Sequence, residues 1–346
     1  MNVATARTLA LWFALPLALL AHAGWRALAS EEAGTRVLLL GHALGTAHPV
    51  HRGMEVFADE VARRSGGRLR VEIHADGKLG SERELLELLQ IGSIAITKVS
   101  AGQLEAFAPE FGVLGLPFLF EDRDHFWRFA GSEEADALLA SAVPRRIRGI
   151  TWYDAGARSF YLSPRSGRSV RTPEDLRGLA IRVMPSRSAL AMVEALGAKP
   201  VPIPFGELYT ALDAGTVDGA ENNPPSLFAS RQYEVAASYS LTEHLVLPDV
   251  LVIGTAAWDR LDAEQQAWIE AAAAASTVAQ RALWDAEEQR NLEAMAQAGL
   301  QIVREVDREA FRRATRVVHE DPAYAGERAR ALRAAIARHA AAGAAP

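Results

Sequence analysis

Residues Leu176–Pro225 read LRGLAIRVMPSRSALAMVEALGAKPVPIPFGELYTALDAGTVDGAENNPP. Ala180-Ile-Arg182-Val-Met184 has the apolar neighbours of a strand, with an arginine inside it. A guanidinium in an apolar strand is costly unless it is partnered. The stretch itself offers no obvious buried acid, so a ligand carboxylate is the leading candidate; an Asp or Glu from elsewhere in the chain is the alternative. Further along, Asn222 follows a tight Asp-Gly turn, and the aromatic Phe205 lies between the two positions. This combination has the character of a binding site and not of a catalytic one. Pro200, Pro202 and Pro204 alternate, which suits an exposed or edge-like extended segment, because proline cannot donate to a central ladder. A short helix is expected from Gly206 to Gly215.

Outward from this stretch, strand and helix signals alternate. Val37–Leu40 is a short apolar run stopping at Gly41, and a helical pattern from about His48 to Arg64 ends at Gly66-Gly67. Leu69–Ile73 alternates like a half-buried strand, Ser81 and Glu84 form a capping box, and Ser93–Thr97 reads as the next strand. Thr172-Pro-Glu-Asp175 carries the signals of a helix start. Repeated units of this kind imply parallel sheets with helices on their faces. Ile150–Asp154 leads into Gly156-Ala-Arg158, which looks like a crossing from one domain to a second. Asp262–Ala298 contains neither Gly nor Pro; as one helix it would span about 55 Å, enough to brace two domains.

The N-terminus has the pattern of an export signal: Arg7, an apolar run from Leu9 to Leu20, then small-x-small sites ending at Ala23 and Ala29. The run is shorter than the ~20 residues of a membrane span, and cleavage would leave a chain that is not membrane-spanning. The 346 residues contain no cysteine, which excludes disulfides and thiolate chemistry. The net charge of −6 comes with no basic face, so no nucleic-acid partner is expected.

Arginine suits a carboxylate because its planar fork donates two parallel hydrogen bonds and keeps its charge. Arg158 is a candidate second cationic contact, or else a solvated charge at the crossing. Asn222 offers an amide that can donate and accept, or serves only as a turn residue. Phe205 is either core or a cover for the apolar face of a sugar ring. Glu82 and His42 point toward the carboxyl ends of strands, where open α/β sheets bind ligands, although helix-dipole compensation and a loop histidine explain them more simply. The histidines His42, His48, His51 and His74 form no convincing ligand set beyond a weak His48/His51 pair. With no nucleophile elbow and no phosphate loop, neither metal nor cofactor nor catalysis is expected.

The residues Ser65-Gly-Gly-Arg68, Leu79-Gly-Ser-Glu-Arg83, Leu116-Pro-Phe-Leu-Phe120, Leu176–Val183, Phe205–Leu212 and Val217–Asn222 together resemble the DctP-type solute-binding proteins of TRAP (tripartite ATP-independent periplasmic) transporters. The resemblance covers nearly the whole mature chain. It implies two α/β domains closing on a ligand, with mixed or parallel sheets and a long domain-spanning helix. It matches Arg182 to the family's carboxylate-binding arginine, Arg158 to a second arginine, Asn222 to the ligand asparagine and Phe205 to the ring-covering aromatic. The segment Asn222-Asn-Pro-Pro-Ser226 looks more like the members that bind sugar acids than like those for C4-dicarboxylates or sialic acid.

The expected division is a signal over 1–29, one domain from 33–156 plus 248–287, and another from 157–247 plus 288–340. The expected function is periplasmic capture of a small carboxylate and its delivery to the TRAP membrane permease subunits. The alternatives are a same-fold sensor reporting to a receptor, or an enzyme using Glu82 or His42 as a base.

Overall fold

The computed structural model describes residues 34–340; the apolar run read as an export signal lies outside them. Eleven strands are described: β1 (Arg36–Gly41), β2 (Leu69–His74), β3 (Ile96–Ser100), β4 (Ile147–Tyr153), β5 (Ala157–Leu162), β6 (Ala180–Val183), β7 (Lys199–Pro202), β8 (Gly219–Asn222), β9 (Ser238–Val246), β10 (Asp249–Gly254) and β11 (Gln301–Val303). They form two sheets, in the orders β2-β1-β3-β10-β4 and β11-β9-β5-β8-β6-β7.

Both sheets are mixed. β1 runs parallel to β2 and β3, but β10 is antiparallel to β3 and β4. β6 is parallel to β7 and β8, whereas β5 is antiparallel to β8 and β9. The expectation of parallel sheets therefore holds for β1 with β2 and β3, for β6 with β7 and β8, and for β9 with β11, but not for the pairings of β5 and β10. β5 and β10 are entered directly from the other sheet and arrive reversed. The proline-rich β7 is an edge strand, as its missing donors require.

Two smaller expectations shift. The strand read at Ser93–Thr97 begins three residues later, at Ile96, because left-handed Gly92 caps the preceding helix and the chain needs the intervening residues to turn. Thr172–Asp175 makes its capping box but opens only a single turn of 3-10 helix, Pro173–Leu176.

The chain passes between the sheets at Asp154–Gly156 and again at Leu247–Pro248. Gly156 has φ +57°, and a Cβ there would lie 2.6 Å from Glu288 Oε1, so the first crossing requires glycine. The helices that frame the site are α1 (Pro49–Arg64), α2 (Glu82–Ile91), α3 (Pro224–Ala229) and α4 (Ala263–Gln297). At 35 residues, α4 extends for about 50 Å. It lies along α1 and β4, then reaches α3 and β11 of the second sheet. Gly53 permits the close approach to α1, since a Cβ there would be 2.6 Å from Gln280 Cβ. Gln280 in turn holds the crossing: it accepts from Asp154 N at 2.8 Å and donates to Asp154 O at 2.9 Å. Leu38, Leu40, Met54, Phe57, Ile269 and Trp284 form the apolar layer beneath this contact.

The last helix, α5 (Glu327–Ala340), was read with the second domain. It packs instead against Pro109–Gly115 and Arg123–Ala130, which follow the first sheet's β3. Its buried Leu332 and Ile336 join the cluster containing Phe126 and Phe129, and Arg128 Nε donates to His339 O at 2.8 Å.

Candidate functional site

A cavity of about 130 Å³ opens where the two sheets face each other. Glu82, Lys98 and Asp249 line it from the first sheet's side, and Arg158, Arg182, Asn222, Ser226 and Phe205 from the second's. Five of the six residues singled out from sequence are therefore brought together.

Arg182 sits on β6 between β7 and β8, opposite Val201 and Ala220, and is 2% exposed. Its Nε donates to Ile203 O at 2.8 Å. Among the described residues no carboxylate pairs with it, and burial pulls its pKa below the ordinary value. Its one hydrogen bond among the described residues goes to a backbone carbonyl and not to an acid, and the residue lines the cavity.

Arg158 lines the same cavity, but its charge is already matched. It makes a two-point ion pair with Glu221, donating through Nε to Oε2 and through Nη2 to Oε1 at 2.8 Å. Nη2 also donates to Glu221 O at 2.9 Å, and Nη1 to Asn222 Oδ1 at 2.9 Å. Burial alone would raise the Glu221 pKa, but the Arg158 guanidinium holds it down to about 2. Arg158 is therefore neither a solvated charge nor a free second cation; its visible work is to orient Asn222.

Asn222 ends β8. Its Oδ1 accepts from both Arg158 and Asn223 N, the latter at 2.9 Å. This fixes the amide orientation and leaves Nδ2 as a donor, so the expected dual role narrows to one. Asn223 caps α3, accepting from Ser226 N at 2.9 Å, with Pro224 at the first helical position.

Ser226 was not legible as a site residue. His48 Nδ1 accepts from Val50 N at 3.1 Å, so a neutral ring carries its proton on Nε2 and donates to Ser226 Oγ at 3.1 Å. Burial keeps His48 neutral by drawing its pKa well below 6.5. The Ser226 hydroxyl thereby keeps its own proton for another acceptor. Phe205, half-buried in the turn Phe205–Glu207, packs on the first sheet's apolar cluster although its own segment follows β7. It forms an apolar wall across the cavity.

On the first sheet's side, Lys98 Nζ lies 3.0 Å from both Glu82 Oε1 and Asp249 Oδ2. Lys98 lies within the strand Ile96–Ser100. Lys98 lies one residue beyond the strand read at Ser93–Thr97, with polar Thr97 and Ser100 beside it in β3, so the pattern that flagged Arg182 did not flag it. Glu82 therefore contacts the cavity as a partner of Lys98 as well as a helix-opening acid.

His42 does not reach the cavity. Its Nδ1 accepts from Leu44 N at 3.1 Å and its Nε2 bonds His51 Nδ1 at 2.9 Å. Both ring nitrogens are used, and the ring is fully buried behind β1. Burial, with Lys98 nearby, lowers its pKa to about 2. It is a neutral packing histidine.

Among the described residues, no group of three or more His, Cys, Asp or Glu is placed to hold a metal, and no helix is long and apolar enough to cross a membrane.

The family described as bacterial extracellular solute-binding protein, family 7 (DctP) matches residues 40–325. The uncharacterised protein YiiZ of Salmonella typhimurium is 37% identical over 289 residues, covering 83% of this chain and 87% of that one. A TRAP periplasmic solute-binding protein from a Bradyrhizobium species, in complex with D-galacturonate, superposes with a TM-score of 0.84 at 36% identity, covering 87% of this chain and 99% of that one. One from Roseobacter denitrificans, with bound β-D-glucuronate, superposes with a TM-score of 0.83 at 32% identity, covering 87% and 98%. With the two-sheet fold and the cavity between the sheets, these matches establish that the chain belongs to the DctP family of TRAP-type extracellular solute-binding proteins.

Proposed function

We propose that this protein captures a sugar acid of the hexuronate class and presents it to TRAP membrane subunits. One observation carries the reading: among the described residues, Arg182 is a buried guanidinium at the cavity with a single protein acceptor and no acid partner. A monocarboxylate supplies what the protein withholds. Docked there, it accepts two parallel hydrogen bonds from the fork, with the Asn222 amide and the Ser226 hydroxyl as further donors. Phe205 covers the apolar face of the ring. Arg158 acts through Asn222, which it holds in orientation. The uronates bound by structural relatives support this ligand class.

The same reading includes export by the N-terminal signal, action outside the cytoplasm, and binding without chemical conversion. It divides the chain into two units, 33–156 plus 248–287 and 157–247 plus the segment from 288 through β11, closing on the cavity. α5 belongs with the first. Closure removes water from the ion pair and strengthens it.

The test is a thermal-shift screen of the mature protein with galacturonate, glucuronate, gluconate, erythronate and succinate. A ligand at 100 times its Kd adds about 2.7 kcal/mol, which raises Tm by several degrees. A shift with sugar acids is the expected result; a shift with succinate alone would overturn the ligand class.

A further inference from the structure

Arg182 and its neighbouring donors form only one wall of the cavity. The other carries Glu82, Lys98 and Asp249, whose side chains are 14%, 3% and 9% exposed. They come from three separate places: Glu82 from the first turn of α2, Lys98 from β3, and Asp249 from the start of β10, paired in register with Ser100. One ammonium is shared between two carboxylates, and Glu82 Oε1 also accepts from Ser100 N at 3.2 Å.

The unused hydrogen-bonding groups can be counted. Lys98 Nζ has three protons and uses two on protein carboxylates. Glu82 Oε2 and Asp249 Oδ1 have no protein partner among the described residues. This wall therefore offers two carboxylate oxygens and one ammonium proton, with one more acid than cation. Hydroxyl groups satisfy such a surface because each can donate to a carboxylate, and one can also accept from the ammonium. A carboxylate does not: it brings no proton and meets a like charge. The Arg182 wall has the opposite character, an uncompensated cation among donors.

We infer that Glu82, Lys98 and Asp249 form a specificity wall that reads hydroxyl groups and excludes a second carboxylate. The protein then accepts sugar monoacids and rejects the diacids built on the same carbon skeleton. The inference rests on the sugar-acid reading above and adds to it a charge rule and the residues that enforce it. The wall is assembled from the middle of β3, the start of β10 and the start of α2, which lie close only in the folded sheet.

The test is calorimetric titration with two matched pairs, D-galacturonate against galactarate and D-gluconate against D-glucarate. The second pair is open-chain on both sides, so ring closure does not confound the comparison. Wild-type protein should bind the monoacid at least about tenfold more tightly than its diacid, as expected for one like charge brought near another in a partly buried site. Asp249→Asn and Glu82→Gln each remove a charge without changing shape. Each should narrow that ratio, chiefly by strengthening the diacid. Should Asp249→Asn fail to fold, the less buried Glu82→Gln carries the comparison alone.

Equal binding of monoacid and diacid by wild type would overturn the charge rule while leaving the sugar-acid reading intact. A large ratio that both variants preserve would overturn the assignment to these residues. If no sugar acid binds at all, the reading and the inference fall together.

Discussion

Replacing Arg182 by methionine separates ligand binding from stability. The guanidinium is 2% exposed and makes one hydrogen bond to protein, to Ile203 O. Losing that bond costs about 1.5–3 kcal/mol, the range for a charged donor. Against this stands the cost of keeping an unpaired cation out of water, several kcal/mol even after relaxation. The two nearly cancel, so the ligand-free variant should unfold within about 2 kcal/mol of wild type or be more stable. Binding should behave differently. Removing one partner of a buried ion pair costs roughly 3–5 kcal/mol, which is about 10²–10⁴ in affinity. Urea unfolding of the ligand-free protein measures the first quantity, and titration with galacturonate the second. Near-native affinity in Arg182→Met would refute the carboxylate assignment. A loss well beyond 2 kcal/mol of ligand-free stability would show that the arginine is structural. Arg182→Lys should fold and still lose binding, since an ammonium lacks the two-point fork.

Glu221→Gln should act the other way round, destabilising the ligand-free protein by about 3–5 kcal/mol because Arg158 is left buried and uncompensated; an unchanged urea midpoint would contradict that. The Glu221 pKa falls from 4.5 to about 2 on folding. Its stabilisation is therefore complete above about pH 4.5 and is lost as the pH falls toward 2, and acid unfolding of Glu221→Gln should lack that part of the slope. His42 has a folded pKa of about 2 against 6.5. Being lowered, it contributes stability that is full above about pH 6.5 and declines below it; His42→Gln should flatten the pH dependence between 6.5 and 5 without changing ligand affinity at pH 7.5. Gly156→Ala should destabilise by more than the ~1 kcal/mol typical of an unfavourable φ, because its methyl would lie 2.6 Å from Glu288 Oε1. A neutral melting temperature would show that the crossing can relax.

Most of the fold was legible because its signals are local. The Ser81–Glu84 capping box, the alternating prolines of β7 and the unbroken run that became α4 each depend on residues a few positions apart. So does the presence of an arginine within an apolar strand. What was misread or left unread involved partners distant in sequence. Arg158 and Glu221 are 63 residues apart, and Lys98 and Asp249 are 151 apart. α5 returns 211 residues to lie on the helix at Arg123–Ala130.

The sequence by itself placed a cation at position 182 among the apolar residues of a strand, and left a ligand carboxylate and a protein acid as its alternative partners. It also determined the α/β class, through periodicity and caps. Only the tertiary structure decided which cations remain free. Strand register gives Arg158 and Lys98 protein acids and gives Arg182 a lone carbonyl, so Arg182 faces the cavity without an acid partner among the described residues while Arg158 holds Asn222 in place. Ion pairing falls off within a few ångströms, and at that range the outcome is set by which strands lie side by side, which no local pattern records.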